Sequence, residues 1–261
     1  MPTAISIELE AIRDGELPWG NSIYLHGMLF SLIKENNEEL SETLHELKTA
    51  KPFTISNISG KNPAKGLLKI HAGHKYTVRL TFLKDEVFIA AFETIYKYYQ
   101  QQRQVNVSKI PMYIKKIMNE STESYENLIN RELNKNTIEL TFLSPTCFKV
   151  EGRNYILPDT KLVLKSYFDK WNFFSKYKIS NEELHTITSN CYLTKHKLQS
   201  AYIDFTRYQF FGFIGSCTYT IEKTKLNNVD MNRLAWMLGF SKYCGTGYKT
   251  TMGMGQTSIR L

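Results

Sequence analysis

The 261-residue chain reads as an α+β protein: two tandem ferredoxin-like (βαββαβ, RRM-like) domains with a C-terminal Gly-rich loop. Three observations predict this. Each half passes through a strand-like alternation, a helical stripe, two further strands and a second helical stripe, which is the order of the ferredoxin-like motif. A polar stretch over 119–136 separates the halves and sets the domains at 1–130 and 131–261. Composition is ordinary for a folded chain, with 42% hydrophobic and 22% charged residues, which excludes collagen, coiled coil and wholesale disorder.

In the first half, Ile5, Ile7 and Leu9 alternate with polar residues and predict a strand. The run Trp19-Gly20-Asn21-Ser22 offers a cap to a helix whose stripe is Leu25, Met28, Leu29, Leu32 and Ile33. A second helix carries Leu40, Leu44 and Leu47 and is expected to stop at Pro52. Strands follow at 53–56 and 76–82, then a helix over 85–99 and a closing strand near 105–107. In the second half, 138–143 is a strand, and Pro158-Asp159 opens a helix holding Leu162, Leu164, Tyr167, Phe168 and Trp171. Two long β-rich segments occupy 191–206 and 208–221. Asn227-Asn228 caps a last helix, and the Gly-rich segment and a short strand close the chain.

No apolar run approaches the ~18 residues of a membrane span, and the first residues lack a basic-then-apolar leader. The four cysteines, Cys147, Cys191, Cys217 and Cys244, form no CxxC pair. A cytoplasmic protein with reduced thiols and no membrane partner is the expectation.

Charge points to a polyanion. Thirty-three basic against 25 acidic residues give +8, and aromatics reach 13%. From residue 47 to 84 there is no acid, while Lys48, Lys51, Lys61, Lys65, Lys69, Lys75, Arg79 and Lys84 all fall there. Such a stretch suits a phosphate track, and equally a solvated basic surface. The tail holds Gly245, Gly247, Gly253 and Gly255 around Lys249. Glycines let backbone amides approach phosphate closely. The string is neither a Walker loop, since Lys249 follows Tyr248, nor a dinucleotide fingerprint, since Thr250 stands where the third Gly would be. The pair His71-Ala72-Gly73-His74 has a metal-like spacing but no further Cys or acid nearby, so no metal and no cofactor is assigned.

The Gly-x-Gly-x₅-Gly-x-Gly loop with its internal Lys resembles the signature of the CRISPR repeat-associated RAMP proteins. Ser144-Pro145-Thr146-Cys147-Phe148-Lys149 resembles their SPT-F+ strand. Leu157-Pro158-Asp159 through Lys170-Trp171-Asn172-Phe173 resembles their LP-P…RWN-F helix, and Phe211-Gly212-Phe213-Ile214-Gly215 precedes the last helix as in the family. Tyr24-Leu25-His26-Gly27, Leu44-His45-Glu46 and Lys51-Pro52-Phe53-Thr54-Ile55-Ser56 are similar to its N-terminal half. The ordered set resembles the CRISPR-associated endoribonuclease that cuts repeat transcripts into guide RNAs.

That resemblance implies metal-independent cleavage of CRISPR repeat RNA, a stem-loop, by attack of a 2′-oxygen, leaving a 5′-hydroxyl and a 2′,3′-cyclic phosphate. It assigns the catalytic role to His45, with Lys51 following. On its own helix His45 lies about 130° from the apolar stripe, so it is expected to face solvent. His26, about a quarter turn off its stripe beside Phe30, is the rival. Some family members carry a tyrosine where Phe30 stands, so a hydroxyl is missing here or comes from Tyr24. Lys48, Lys61, Lys65, Lys69 and Lys249 are the expected RNA-binding cations, on a monomer or homodimer. The alternative is a non-catalytic RAMP-type RNA-binding subunit of a CRISPR effector complex.

Overall fold

The computed structural model describes residues 1–18, 20–58, 67–205 and 208–260. The chain divides into two compact units: Met1–Thr122 with Ile203–Phe210 and Thr251–Gly253, and Glu123–Tyr202 with Phe211–Thr250 and Met254–Leu261.

The first unit contains β1 (Thr3–Ala11), β2 (Gly15–Pro18), α1 (Ser22–Asn36), α2 (Glu38–Glu46), β3 (Phe53–Ile55), β4 (Leu67–Ile70), β5 (Lys75–Phe82), α3 (Asp85–Gln101), β6 (Gln104–Val107) and β7 (Ile110–Thr122). Its main sheet runs β3-β5-β1-β7-β6, antiparallel throughout. Alternation puts Ile5, Ile7 and Leu9 of β1 into the core. There they join Leu25, Leu29 and Ile33 of α1 and Val87, Ala91 and Ile95 of α3. A separate two-stranded sheet pairs β2 with β4.

The second unit contains α4 (Tyr125–Leu128), β8 (Thr137–Thr146), β9 (Phe148–Val150), β10 (Arg153–Tyr155), α5 (Thr160–Phe174), α6 (Asn181–Ser189), β11 (Cys191–Asp204), most of β12 (Gln209–Ile221), α7 (Asn228–Cys244) and β13 (Thr257–Arg260). Its sheet runs β11-β12-β8-β13. In both sheets the first strand lies between the third and fourth strands of a βαββαβ sequence. The chain therefore carries two ferredoxin-like folds.

Four local expectations are corrected. The fourth strand of the first fold is β7, and the strand near 105–107 is its hairpin partner β6 at the sheet edge. β7 runs on through Thr122 into residues that read as a polar linker, because beyond Ile114 its residues lie half-buried or exposed and its apolar alternation fades. α2 stops at Glu46, capped by Leu47, well before Pro52. Asn21 occupies the cap position of α1, but its Oδ1 accepts from the Ile58 backbone N–H at 2.9 Å instead of capping the helix. The sequence reading also passed over α6, which starts with a capping box between Ser180 and Glu183.

Among the described residues no helix is long and apolar enough to cross a membrane. All four cysteines are buried free thiols, and burial pushes Cys147 and Cys244 up to about 11 and Cys191 to about 12.

Candidate active site

α1, α2 and the start of β3 bring the three expected chemical groups around one ring in the first unit. Phe30, half-buried on α1, lies 4.6 Å from the His26 ring, its neighbour one turn back. The His45 ring meets Phe30 edge-on at 5.9 Å, and Phe53 of β3 packs at 5.8 Å. The Lys51 ammonium stands over the same ring at 5.7 Å. His45 is exposed, as its helical phase requires, and His26 is half-buried.

Local chemistry fixes Lys51. α2 ends without a glycine cap, so its last carbonyls lack partners within the helix. The Lys51 Nζ donates to the Leu44 carbonyl and to that of His45 at 3.2 Å. A cation at the negative end of α2 is favourable. Burial holds the amine below the usual lysine range. The arrangement presents two imidazoles and an ammonium along an aromatic floor, enough to hold a phosphodiester and move protons at either side of it.

Tyr24 does not supply the missing hydroxyl. Two residues before His26, it is turned about 200° around α1. It lines a groove against β6 instead.

The acid-free basic stretch is acid-free only along the chain. β1, β7 and α3 return carboxylates to it: Glu8 meets Lys75 at 3.0 Å, Glu120 meets Arg79 at 2.7 Å and Glu86 meets Lys84 at 3.3 Å. Lys48 is exposed just past α2, and Lys69 is exposed on β4 opposite Glu16. Lys61 and Lys65 lie outside the described residues.

Residues 245–250 and 254–255 of the Gly-rich segment are built into the second unit, while Thr251–Gly253 belongs to the first. β8 and the residue after it accept the segment backbone to backbone: the Gly255 N–H donates to the Pro145 carbonyl of β8 at 3.1 Å and the Tyr248 N–H to that of Cys147 at 2.9 Å. At Gly247 the φ is +74°, and a Cβ would stand 2.3 Å from the Cys147 carbonyl oxygen. Only glycine permits that approach. Gly245, Gly253 and Gly255 also have positive φ. Tyr167 bonds the Thr246 hydroxyl at 2.7 Å. Lys249 and Lys149 both place their ammonium groups near the Tyr248 ring, at 5.4 and 5.5 Å.

The sequence places Lys170 in the helix motif that resembles the family's but shows no role for it. Its ammonium donates to the carbonyls of Cys244, Gly245 and Gly247 at 2.9, 3.0 and 3.3 Å, clamping the end of α7 and the loop to α5. Desolvation lowers its pKa. The available signal was a lysine flanking an otherwise apolar stripe beside Tyr167 and Trp171. Among the described residues no group of three His, Cys, Asp or Glu side chains could hold a metal ion.

Comparison with known proteins gives one consistent answer. The family model described as CRISPR-associated endoribonuclease Cas6 matches residues 140–257. A CRISPR-associated endoribonuclease Cas6 from Streptococcus thermophilus is 23% identical over 243 residues, covering 90% of this chain and 89% of that protein. A Cas6 product complex superposes with a TM-score of 0.82 at 23% identity, covering 100% of both chains. Thermus thermophilus Cas6 superposes at 0.74 with 22% identity, covering 100% of this chain and 98% of that one. These findings bear out the resemblance read from the motifs: the chain is similar to the Cas6 family along its length and shares its tandem ferredoxin-like fold.

Proposed function

We propose that this Cas6-like chain is an endoribonuclease that cuts CRISPR repeat RNA without a metal ion. The observation that carries the reading is the convergence of His26, His45 and Lys51 on Phe30. The 2′-oxygen upstream of the scissile bond attacks the adjacent phosphorus. A base takes its proton, the phosphorus–5′-oxygen bond breaks, and an acid protonates the leaving oxygen. The products are a 2′,3′-cyclic phosphate and a 5′-hydroxyl. An imidazole near pKa ~6.5 serves either proton transfer at neutral pH. His45, the exposed imidazole, takes the principal role, and His26 orients beside it. Lys51 offsets the growing charge of the phosphorane. Lys48 and Lys69, with Lys61, Lys65 and Lys249, hold the phosphates of a stem-loop recognised through its shape.

The test is incubation with a CRISPR repeat RNA in excess EDTA and mapping of the product ends. A single cut leaving a 5′-hydroxyl supports the reading. Tight binding with no cut supports the rival, a non-catalytic RNA-binding subunit, which the absence of a hydroxyl at Phe30 favours. A cut that needs a divalent cation overturns the mechanism.

A further inference from the structure

Round α1 from the Phe30 cluster, a groove of about 400 Å³ opens between the helix and edge strand β6. Tyr24 and Gly27 line it from α1, Tyr98 from α3, and Gln104 and Asn106 from β6. Gly27 is the informative residue. It sits inside α1, where glycine is the poorest choice after proline. Its φ is not positive, so backbone conformation does not require it. Apart from its chain neighbours and the backbone of its own helix, no heavy atom among the described residues comes within 4 Å of the place its Cβ would take, so packing does not require it either. The remaining reason for a bare helix backbone at that point is close approach by a ligand.

The groove's walls indicate which ligand. The Arg103 guanidinium covers the Tyr98 ring at 4.2 Å and donates to the Tyr98 hydroxyl at 3.1 Å. That hydroxyl in turn donates to Glu35 at 2.6 Å. The ring is thereby a fixed stacking wall. The same groove is lined by β6, the edge strand of its sheet, carrying the exposed amide residues Gln104 and Asn106. The volume is in the range of small-ligand sites. A fixed aromatic, amide residues and an open strand edge together suit a planar, hydrogen-bonding heterocycle.

We propose that this groove takes one unpaired nucleobase of the substrate RNA, with its ribose-phosphate crossing α1 at Gly27. The inference rests on the RNA-processing reading and adds to it a base-reading pocket on the helix that also carries His26. The experiment measures binding of repeat RNAs in which each unpaired nucleotide in turn is replaced by an abasic ribose. Wild type should lose about tenfold in affinity at one position, the low end of what stacking a single base contributes. Gly27→Met, which fills the groove, should bind the unmodified RNA about tenfold more weakly and lose nothing further at that position. Its Tm should not fall, since methionine is the better helix former. Gly27→Ala, the milder variant, should lie between the two in affinity with an unchanged or higher Tm. If wild type cuts the RNA and Gly27→Met binds it within twofold, the pocket is wrong and the nuclease reading stands. If wild type neither binds nor cuts repeat RNA, both fall together.

Discussion

The two units share one topology and hold their loops in different ways. In the second, the start and end of the loop after α7 are held by backbone and side-chain bonds: to β8 through Pro145, to the following residue Cys147, and to α5 through Tyr167 and Lys170. α6 and α7 each begin with a full capping box. In the first unit, α1 starts without a side-chain cap, α2 ends on a borrowed lysine, and His45 points to solvent. The recognisable motifs therefore lie where backbone geometry is most constrained. The groups able to move protons lie where it is least constrained. Bracing leaves a long sequence trace because glycines, caps and buried partners admit few substitutes, whereas an exposed imidazole needs only its own position.

The largest effect should come from separating chemistry from stability in the first unit. His45→Ala should cut the single-turnover cleavage rate by roughly 10² to 10⁴, the usual contribution of a general acid or base. Its Tm should stay close to wild type, because the ring is exposed and surface changes cost little. A loss of only a few-fold would move the principal role to His26.

The second unit should respond in the opposite sense. Lys170→Met removes a charged donor from three carbonyls, at a cost of about 2–3 kcal/mol by denaturant titration. The pH dependence follows from the sign of the shift. Desolvation lowers the folded-state lysine pKa, so the unfolded chain binds more protons in the window between the folded and unfolded values. Stability of the wild type should therefore rise with pH as it approaches 10.5 from below, and Lys170→Met should flatten that limb. An unchanged limb would mean that the ammonium is not desolvated in solution.

The same asymmetry governs what the sequence revealed. α5 was legible because Asp159 caps it and its apolar residues follow a helical period, and α7 because Asn227 caps a helix whose apolar run is nearly continuous. The exposure of His45 followed from its angle on α2. β7 was not read as a strand, and the strand near 105–107 stood in its place; its distal residues are half-exposed and lose period-two alternation. The ion pairs of Lys75 and Arg79 were invisible because their partners, Glu8 and Glu120, come from strands distant in sequence. Phe30 read as a missing hydroxyl, and its service as the floor under three polar groups is a property of the fold alone.

Phe30 sharpens the comparison at an intermediate scale, because it belongs to both the packing and the site. Phe30→Leu removes the ring against which His26, His45 and Lys51 are set while keeping most of the apolar volume. We expect cleavage to fall about tenfold, equivalent to about 1.4 kcal/mol in the barrier, with a stability loss of about 1 kcal/mol. The pH profile should keep its shape, since no titrating group is removed. A changed profile with an unchanged rate would show that the ring tunes the imidazoles and does not position them.

The smallest effect tests whether the first unit is loose everywhere or only at its site. Glu35, on the last turn of α1, accepts from the Tyr98 hydroxyl at 2.6 Å, from Lys97 at 3.0 Å and from Arg103 at 2.8 Å. The Tyr98 bond, aided by the two cations, holds its carboxyl down at about 2. A carboxylate with a depressed folded-state pKa adds stability above the unfolded value of 4.5 and loses it as pH falls toward 2. The group is largely open to solvent, so screening reduces the contribution to about 0.5–1 kcal/mol. Glu35→Gln should cost that much at pH 7 and nothing near pH 2, read as Tm against pH in low salt. The difference should shrink as salt is added. A penalty that persists at acid pH would instead mean that the residue contributes through packing, and that α1 is braced at its far end by more than charge.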